Sequence, residues 1–183
     1  MKAYLDTGIF IDYLIGRSHA GQYLRSTGRR GRSPTQLGAD AELCFGRLAE
    51  KHEAITSSLT CYEVEEAMYR QLKVSSVGLP HAAAYLIPSA RSAITQTLMT
   101  IRLFKVELAA LTYEVIVEQC KDIDLQIKGV RAADALHVTT ARLHEADALI
   151  SGDAGILSLD GVLKTASGKP LRCVDTDEAI KML

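Results

Sequence analysis

Four acidic residues stand just beyond short apolar runs: Asp6 in AYLDT, Glu63 in TSSLTCYEV, Asp134 in RAADALHV and Asp153 in ALISGD. They are distant in sequence. A fold that lines up those runs as neighbouring strands brings all four carboxylates to one edge. Carboxylates gathered at one place repel one another, and a hard cation is the natural partner of such an oxygen-rich cluster. A cation held there would set the chemistry.

Taken singly, each acid also has a structural reading. Asp6 and Thr7 are both good N-caps for a helix starting near Ile9. Thr60 and Glu63 have the Thr-x-x-Glu spacing of a capping box, and Glu66 shares a helical face with Glu63. Asp134 opens an Ala-rich helix, where the helix dipole favours a carboxylate. Its apolar neighbours Ala133, Ala135 and Leu136 argue for partial burial, and buried acids are rare unless paired or metal-bound. Asp153 follows Ser151 and Gly152, a common turn composition. His137, one turn beyond Asp134, reads as a hydrogen-bonded, partly buried side chain rather than a ligand.

The elements that must position these residues follow from periodicity. Strands are expected at Lys2 to Leu5, Ala54 to Ser57, Phe104 to Leu108, Ala148 to Ile150 and Leu171 to Val174. Helices are expected at Ile9 to Ile15, Ala41 to Lys51, Leu59 to Lys73, Ser89 to Leu103, Tyr113 to Ile123, Arg131 to Glu145 and Asp177 to Leu183. Residues 17–40 carry Gly21, Gly28, Gly31, Pro34 and Gly38 with Arg25, Arg29, Arg30 and Arg32; they read as a mobile basic loop, with one helical turn around Gln22 to Arg25. Gly78, Pro80 and Pro88 break the pattern over residues 75–92. Alternating strands and helices indicate an α/β fold with a mostly parallel sheet covered on both faces. Ligands of such sheets bind beyond the carboxyl ends of the strands, where Asp6 and Asp153 are expected.

The order of these features is more specific than any one of them. A strand ending in Asp-Thr is followed by Ser-x-x-x-x-Glu opening a helix, by Arg-x-x-Asp-Ala-Leu, and by an apolar strand ending in Ser-Gly-Asp. This arrangement resembles the PIN domain, the nuclease fold of VapC-type toxins and of RNA-processing nucleases. The matching segments are Ala3 to Leu14, Ile55 to Tyr69 and Val130 to Leu157. Ser151 stands where Thr is more usual, and Gly8 where a polar residue is common. Insertions at about 17–50 and 75–95 lengthen the chain beyond a compact toxin.

The resemblance implies a single three-layer α/β/α domain over residues 1–183. It implies that Asp6, Glu63, Asp134 and Asp153 bind Mg²⁺ or Mn²⁺ and catalyse hydrolysis of RNA phosphodiester bonds. Asp6 and Asp134 would be direct ligands. Glu63 and Asp153 would bind a second ion or act through water, with Thr7 and Ser151 holding carboxylates or waters. Arg131 and the cluster Arg25, Arg29, Arg30 and Arg32 are candidates for gripping phosphates, or else for ion pairing and solvation. The implied partners are RNA, a small antitoxin and a second copy of the chain. An RNA-maturation nuclease without antitoxin, and a silent PIN module that binds RNA or protein, are the alternatives. A haloacid-dehalogenase-type phosphatase also begins with a strand-end Asp, but it needs a second Asp where this chain has Gly8.

Composition is compatible with this and adds bounds. The 183 residues suffice for a real core. A net charge of −1 means that an anionic partner must meet a local patch. Cys44, Cys61, Cys120 and Cys173 show no zinc spacing and suit a reducing cytoplasm. No signal-peptide pattern or membrane-length apolar run is expected to take the protein elsewhere. Phe10, Tyr13, Tyr62 and Tyr69 read as core rather than stacking platforms. The apolar segment 93–108 suits either a dimer face or the core.

Overall fold

The strands are short, three to five residues each, and the first, fourth and fifth are stopped by the polar residues Asp6, Ser151 and Asp175. In the computed structural model, which describes every residue except 16, 18–23, 25, 26 and 79 and the side chain of Ala83, five such strands form one parallel sheet. They are β1 (Lys2–Leu5), β2 (Glu53–Ser57), β3 (Glu107–Ala109), β4 (Ala148–Ile150) and β5 (Arg172–Val174), in the order β3-β2-β1-β4-β5. The order reverses at β1, which pairs with β2 on one side and β4 on the other.

Alternation along the strands divides the core between the two faces. Ala3, Leu5, Ala54, Ile150 and Val174 face one layer, and Tyr4, Ile55, Leu149 and Cys173 face the other. The first layer holds α1 (Thr7–Leu14), α2 (Pro34–Lys51), α3 (Leu59–Ser75), α4 (Ala82–Leu103) and α9 (Thr176–Met182). The second holds α6 (Ile123–Ile127), α7 (Ala132–Leu143) and α8 (Ala154–Leu157), with α5 (Tyr113–Lys121) packed on α7. An aromatic cluster locks the first layer: Phe45 meets Phe10 and Tyr13 edge-on and stacks on Phe104, with centroids 5.0 to 5.3 Å away. This is the three-layer α/β/α architecture that the sequence implies.

Several boundaries differ from expectation. α2 starts at Pro34 rather than Ala41. Ser33 and Gln36 form a capping box around Pro34 at the first helical position, and this overcomes the cost of Gly38. Leu37, Ala41, Cys44, Phe45 and Leu48 then form its buried stripe. α4 starts at Ala82 rather than Ser89 and carries Pro88 within it, with the ring exposed. β3 begins at Glu107 rather than Phe104, because Phe104 and Lys105 form the turn that ends α4.

The basic segment also differs. Arg29 and Arg32 exchange backbone hydrogen bonds of 2.9 and 3.0 Å, so residues 29–32 are a tight hairpin rather than a mobile loop. Arg30 and Gly31, at φ +50° and +76°, are its two central residues, the backbone that Gly adopts without strain. The expected helical turn at 22–25 lies outside the described residues except for Leu24, and so does Arg25. Among the described residues no helix is long and apolar enough to cross a membrane.

Candidate active site

The parallel topology explains how distant acids meet. Asp6 is the residue after β1, and its N–H donates to the Ile150 carbonyl of β4 at 3.0 Å. α3 follows β2 and therefore starts at the carboxyl edge of the sheet, bringing Glu63 in its second turn. α7 precedes β4 and runs antiparallel to it, so its first turn, with Asp134, lies at the same edge. The Ser151-Gly152-Asp153 turn leaves β4 there. Asp6, Glu63, Asp134 and Asp153 all line one open cleft of about 440 Å³, together with Thr7, Gly8, Tyr62, Glu66, Arg29 and Arg70.

The four carboxylates differ in how they are held. Asp6 is buried. Its Oδ1 accepts from the Thr7 N–H at 2.8 Å, the N-cap geometry, and its Oδ2 accepts from the Ser151 hydroxyl at 2.7 Å. The Ser151 oxygen in turn accepts from the Asp153 N–H at 3.0 Å. Asp153 caps α8, its Oδ1 accepting from Gly155 and Ile156 at 2.7 and 3.2 Å.

Glu63 is not part of a capping box. α3 is capped by Ser58 without a side-chain bond, and the Thr60 hydroxyl is bound to that of Thr56 at 2.8 Å. Glu63 Oε2 instead accepts from the Thr7 hydroxyl and lies 2.7 Å from His137 Nε2. His137 has no exposed surface, and its Nδ1 lies 2.7 Å from the Tyr4 hydroxyl. Burial works against charge on both Glu63 and His137. The bond between them, with the Thr7 hydroxyl and the nearby Asp6, outweighs it: Glu63 is held below the usual carboxylate range and His137 above the usual imidazole range.

Asp134 is the exception. Its carboxylate is only 23% exposed, accepts no hydrogen bond from any described residue and has Arg131, itself well exposed, 3.9 Å away. Burial, then the charges of Asp153 and Asp6, push its pKa up to about 6. This is a half-buried carboxylate among like charges, with room for a positive partner.

The donor set fits a hydrated hard cation. Among the described residues no three His, Cys, Asp or Glu side chains stand close enough together to make a ready cage. The charges of Asp153, Asp6 and Glu63 all bear on Asp134, and all four acids line one cleft. Mg²⁺ keeps several waters and takes only one or two carboxylates directly, so a cleft of this kind can hold it without a closed cage.

The arginines are engaged structurally. Arg29, Arg30 and Arg32 all reach Asp175, Arg29 also pairs with Asp12, and Arg32 with Asp40. Of the three, Arg29 lines the acidic cleft.

Two participants were hidden from the sequence, and a third, Arg29, stood there only as one of several basic candidates. Tyr4 reads only as a strand residue. Tyr62, expected in the core, is 62% exposed on the cleft wall, because it sits beside Glu63 on the outward side of α3. Arg29 shares the cleft through contacts far along the chain. A helical i, i+3 relation to Asp134 was the one local signal for His137. Cys44 and Cys173 are excluded as nucleophiles, since burial pushes both thiols up to about 12.

No family model and no curated protein matches this sequence. A solved structure does: a chain of VapBC2 from Rickettsia felis, crystallised bound to a DNA fragment from the VapBC2 promoter. The superposition has a TM-score of 0.53 at 14% identity and covers 94% of this chain and 98% of that one. At that identity the likeness concerns the fold, and it agrees with the strand order and layers described above: the chain has a PIN-like fold.

Proposed function

We propose that the protein is a divalent-metal-dependent endoribonuclease, and that it acts as the toxin of a toxin–antitoxin pair. The observation that carries the enzymatic reading is Asp134, a half-buried carboxylate to which no described residue donates a hydrogen bond, among three other acids at the carboxyl edge of the sheet. The reading as a toxin is supported by the fold shared with a chain of the VapBC2 complex.

Asp134 and Asp6 would hold Mg²⁺ or Mn²⁺ directly, with Asp153 and Glu63 acting through water or on a second ion. The bound cation would supply positive charge to a scissile phosphate and lower the pKa of a coordinated water. The protein's own groups set the stage for this. The Thr7 N–H and Ser151 hydroxyl fix both oxygens of Asp6 and leave each a free lone pair. The Glu63–His137 pair, anchored by Tyr4, holds Glu63 in one orientation and offsets part of the negative charge that an RNA backbone must approach.

Two further elements belong to the proposal. An antitoxin would present a cationic side chain to the cleft, and the chain would dimerise in solution. The alternative with a specific observation behind it is a silent module, since Glu63 Oε2 is already occupied by Thr7 and His137.

Cleavage of total RNA by the chelator-stripped protein, with and without added Mg²⁺ or Mn²⁺, tests the reading. Activity is expected only with metal and is expected to vanish in Asp6→Asn and Asp134→Asn. Full activity in both variants would overturn the proposal. Absence of acid-dependent Mn²⁺ binding in the wild type would favour the silent module.

A further inference from the structure

The hairpin at 29–32 touches the acidic cleft at one point. Arg29 extends from it between α1, α9 and the turn after β4. Its Nη2 donates to Asp12 Oδ2 at 2.9 Å and to Asp175 Oδ1 at 3.0 Å, and its Nε to Asp175 Oδ2 at 3.4 Å. Both carboxylates are fully buried, and the Arg29 side chain is 12% exposed. The guanidinium is therefore a fixed plate rather than a free surface cation. It presses on Gly152: a Cβ there would lie 2.1 Å from Arg29 Cζ and 2.2 Å from Nη1. Only glycine leaves room for this approach.

The neighbours of Gly152 make the contact consequential. Ser151 donates to Asp6, and Asp153 is the fourth acid of the cleft. The Ser151 oxygen accepts from the Asp153 N–H, so the two acids are joined through the turn that Arg29 covers. We propose that Arg29 is a positioning residue: its clamped guanidinium, seated on Gly152, fixes the 151–153 turn and through it the placement of Asp6 and Asp153. Asp12 and Asp175 are the jaws of the clamp. Two buried carboxylates hold Arg29 by its Nε and Nη2, which fixes the guanidinium in place. The functional consequence rests on the metal-dependent reading above, whereas the structural one does not.

The test compares Arg29→Lys with Asp40→Asn. Lys keeps a charge for Asp175 but has no planar fork to lie on Gly152. Asp40→Asn removes an ion pair from the same network, that with Arg32, without touching the turn. Amide hydrogen exchange at Asp153, Gly155 and Ile156 reports the turn and the Asp153 cap. Arg29→Lys should raise exchange there by about tenfold or more while leaving Ile55 and Thr56 in β2 protected. It should also weaken Mn²⁺ binding by roughly tenfold, as loss of support behind a ligand does. Asp40→Asn should do neither. Gly152→Ala, which drives the guanidinium off the turn from the other side, should reproduce the exchange pattern and serves if Arg29→Lys folds poorly. Unchanged exchange in Arg29→Lys and Gly152→Ala, or equal changes in Asp40→Asn, would overturn the proposal. If the wild type fails to cleave RNA, the nuclease reading falls, while the exchange result still decides the role of Arg29.

Discussion

Replacing Asp134 by Asn should make the metal-free protein more stable. The Asp134 carboxyl titrates at about 6 in the folded chain, against an ordinary value of 3.8, because burial and the charges of Asp153 and Asp6 disfavour its ionised form. A folded-state pKa raised in an acid means that the folded protein holds that proton more tightly than the unfolded chain. The group therefore favours folding below pH 3.8, and that contribution is lost as the pH rises through 6. Above it, the folded state carries an ionised carboxylate at a penalty of roughly 3 kcal/mol, at 1.36 kcal/mol per pH unit. Residual solvent contact reduces this to about 1–3 kcal/mol. Asn keeps the shape and removes the charge. In EDTA at pH 7.5 the melting temperature of Asp134→Asn should exceed that of wild type by on the order of 3–10 °C. The gain should fall to about half near pH 5 and to about a fifth at pH 4, and it should vanish only well below 3.8, where the carboxyl is neutral in both the folded and the unfolded chain. Saturating Mn²⁺ should then reverse the ranking, since a ligand at a hundred times its Kd adds about 2.7 kcal/mol to a protein that binds it. A destabilised Asp134→Asn in EDTA at pH 7.5, or a gain that does not change with pH, would refute the electrostatic account of the cleft.

Other perturbations probe separate parts of the structure. His137→Ala leaves Glu63 and the Tyr4 hydroxyl without their shared partner, and urea denaturation should register a loss of about 3–5 kcal/mol, the usual cost of breaking a buried pair; a loss below about 1 kcal/mol would remove the pair from the argument. Burial alone would raise the Asp175 carboxyl, but Arg29, the Thr176 N–H and Arg32 hold it below the ordinary 3.8. Its stabilising contribution is thus present above that value and lost as the pH falls through the lower, folded one. Asp175→Asn should cost stability at neutral pH and flatten the acid limb of a stability–pH curve measured by urea denaturation. Tyr62 is exposed on the cleft wall, so Tyr62→Ala should leave the melting temperature unchanged; as a stacking platform for RNA it should weaken binding by about 1–3 kcal/mol in a titration with single-stranded RNA, with Tyr62→Phe close to wild type.

The sheet was legible because its signals are local. β1 and β4 are apolar runs stopped by polar residues, and in a parallel sheet that stop lies at the ligand-binding edge, so Asp6 and Asp153 mark both the fold and the cleft. The helices were less legible wherever two local signals disagreed. Gly38 argued against a helix that Ser33, Pro34 and Gln36 had already started. Pro88 argued for a boundary, although an exposed ring can be carried within a long helix packed on α3. The caps on Asp6 and Asp153 are local, but the state of Glu63 and of the second Asp6 oxygen could not be read, because their partners come from elsewhere in the chain. Thr60 and Glu63 have the spacing of a capping box, yet the glutamate is claimed by Thr7 and His137 and the threonine by Thr56. The arginine-rich segment has the composition of a loop, yet buried Asp12 and Asp175 convert Arg29 into a fixed part. Asp134 is distinguished by the opposite circumstance: no described residue donates a hydrogen bond to its carboxylate, and its one ion pair among them is the long one with exposed Arg131. A sequence shows which carboxylates can reach an edge. Which one is left without a donor among the described residues, and so has most to gain from a cation, depends on local caps for Asp153 and on distant contacts for Glu63 and Asp6.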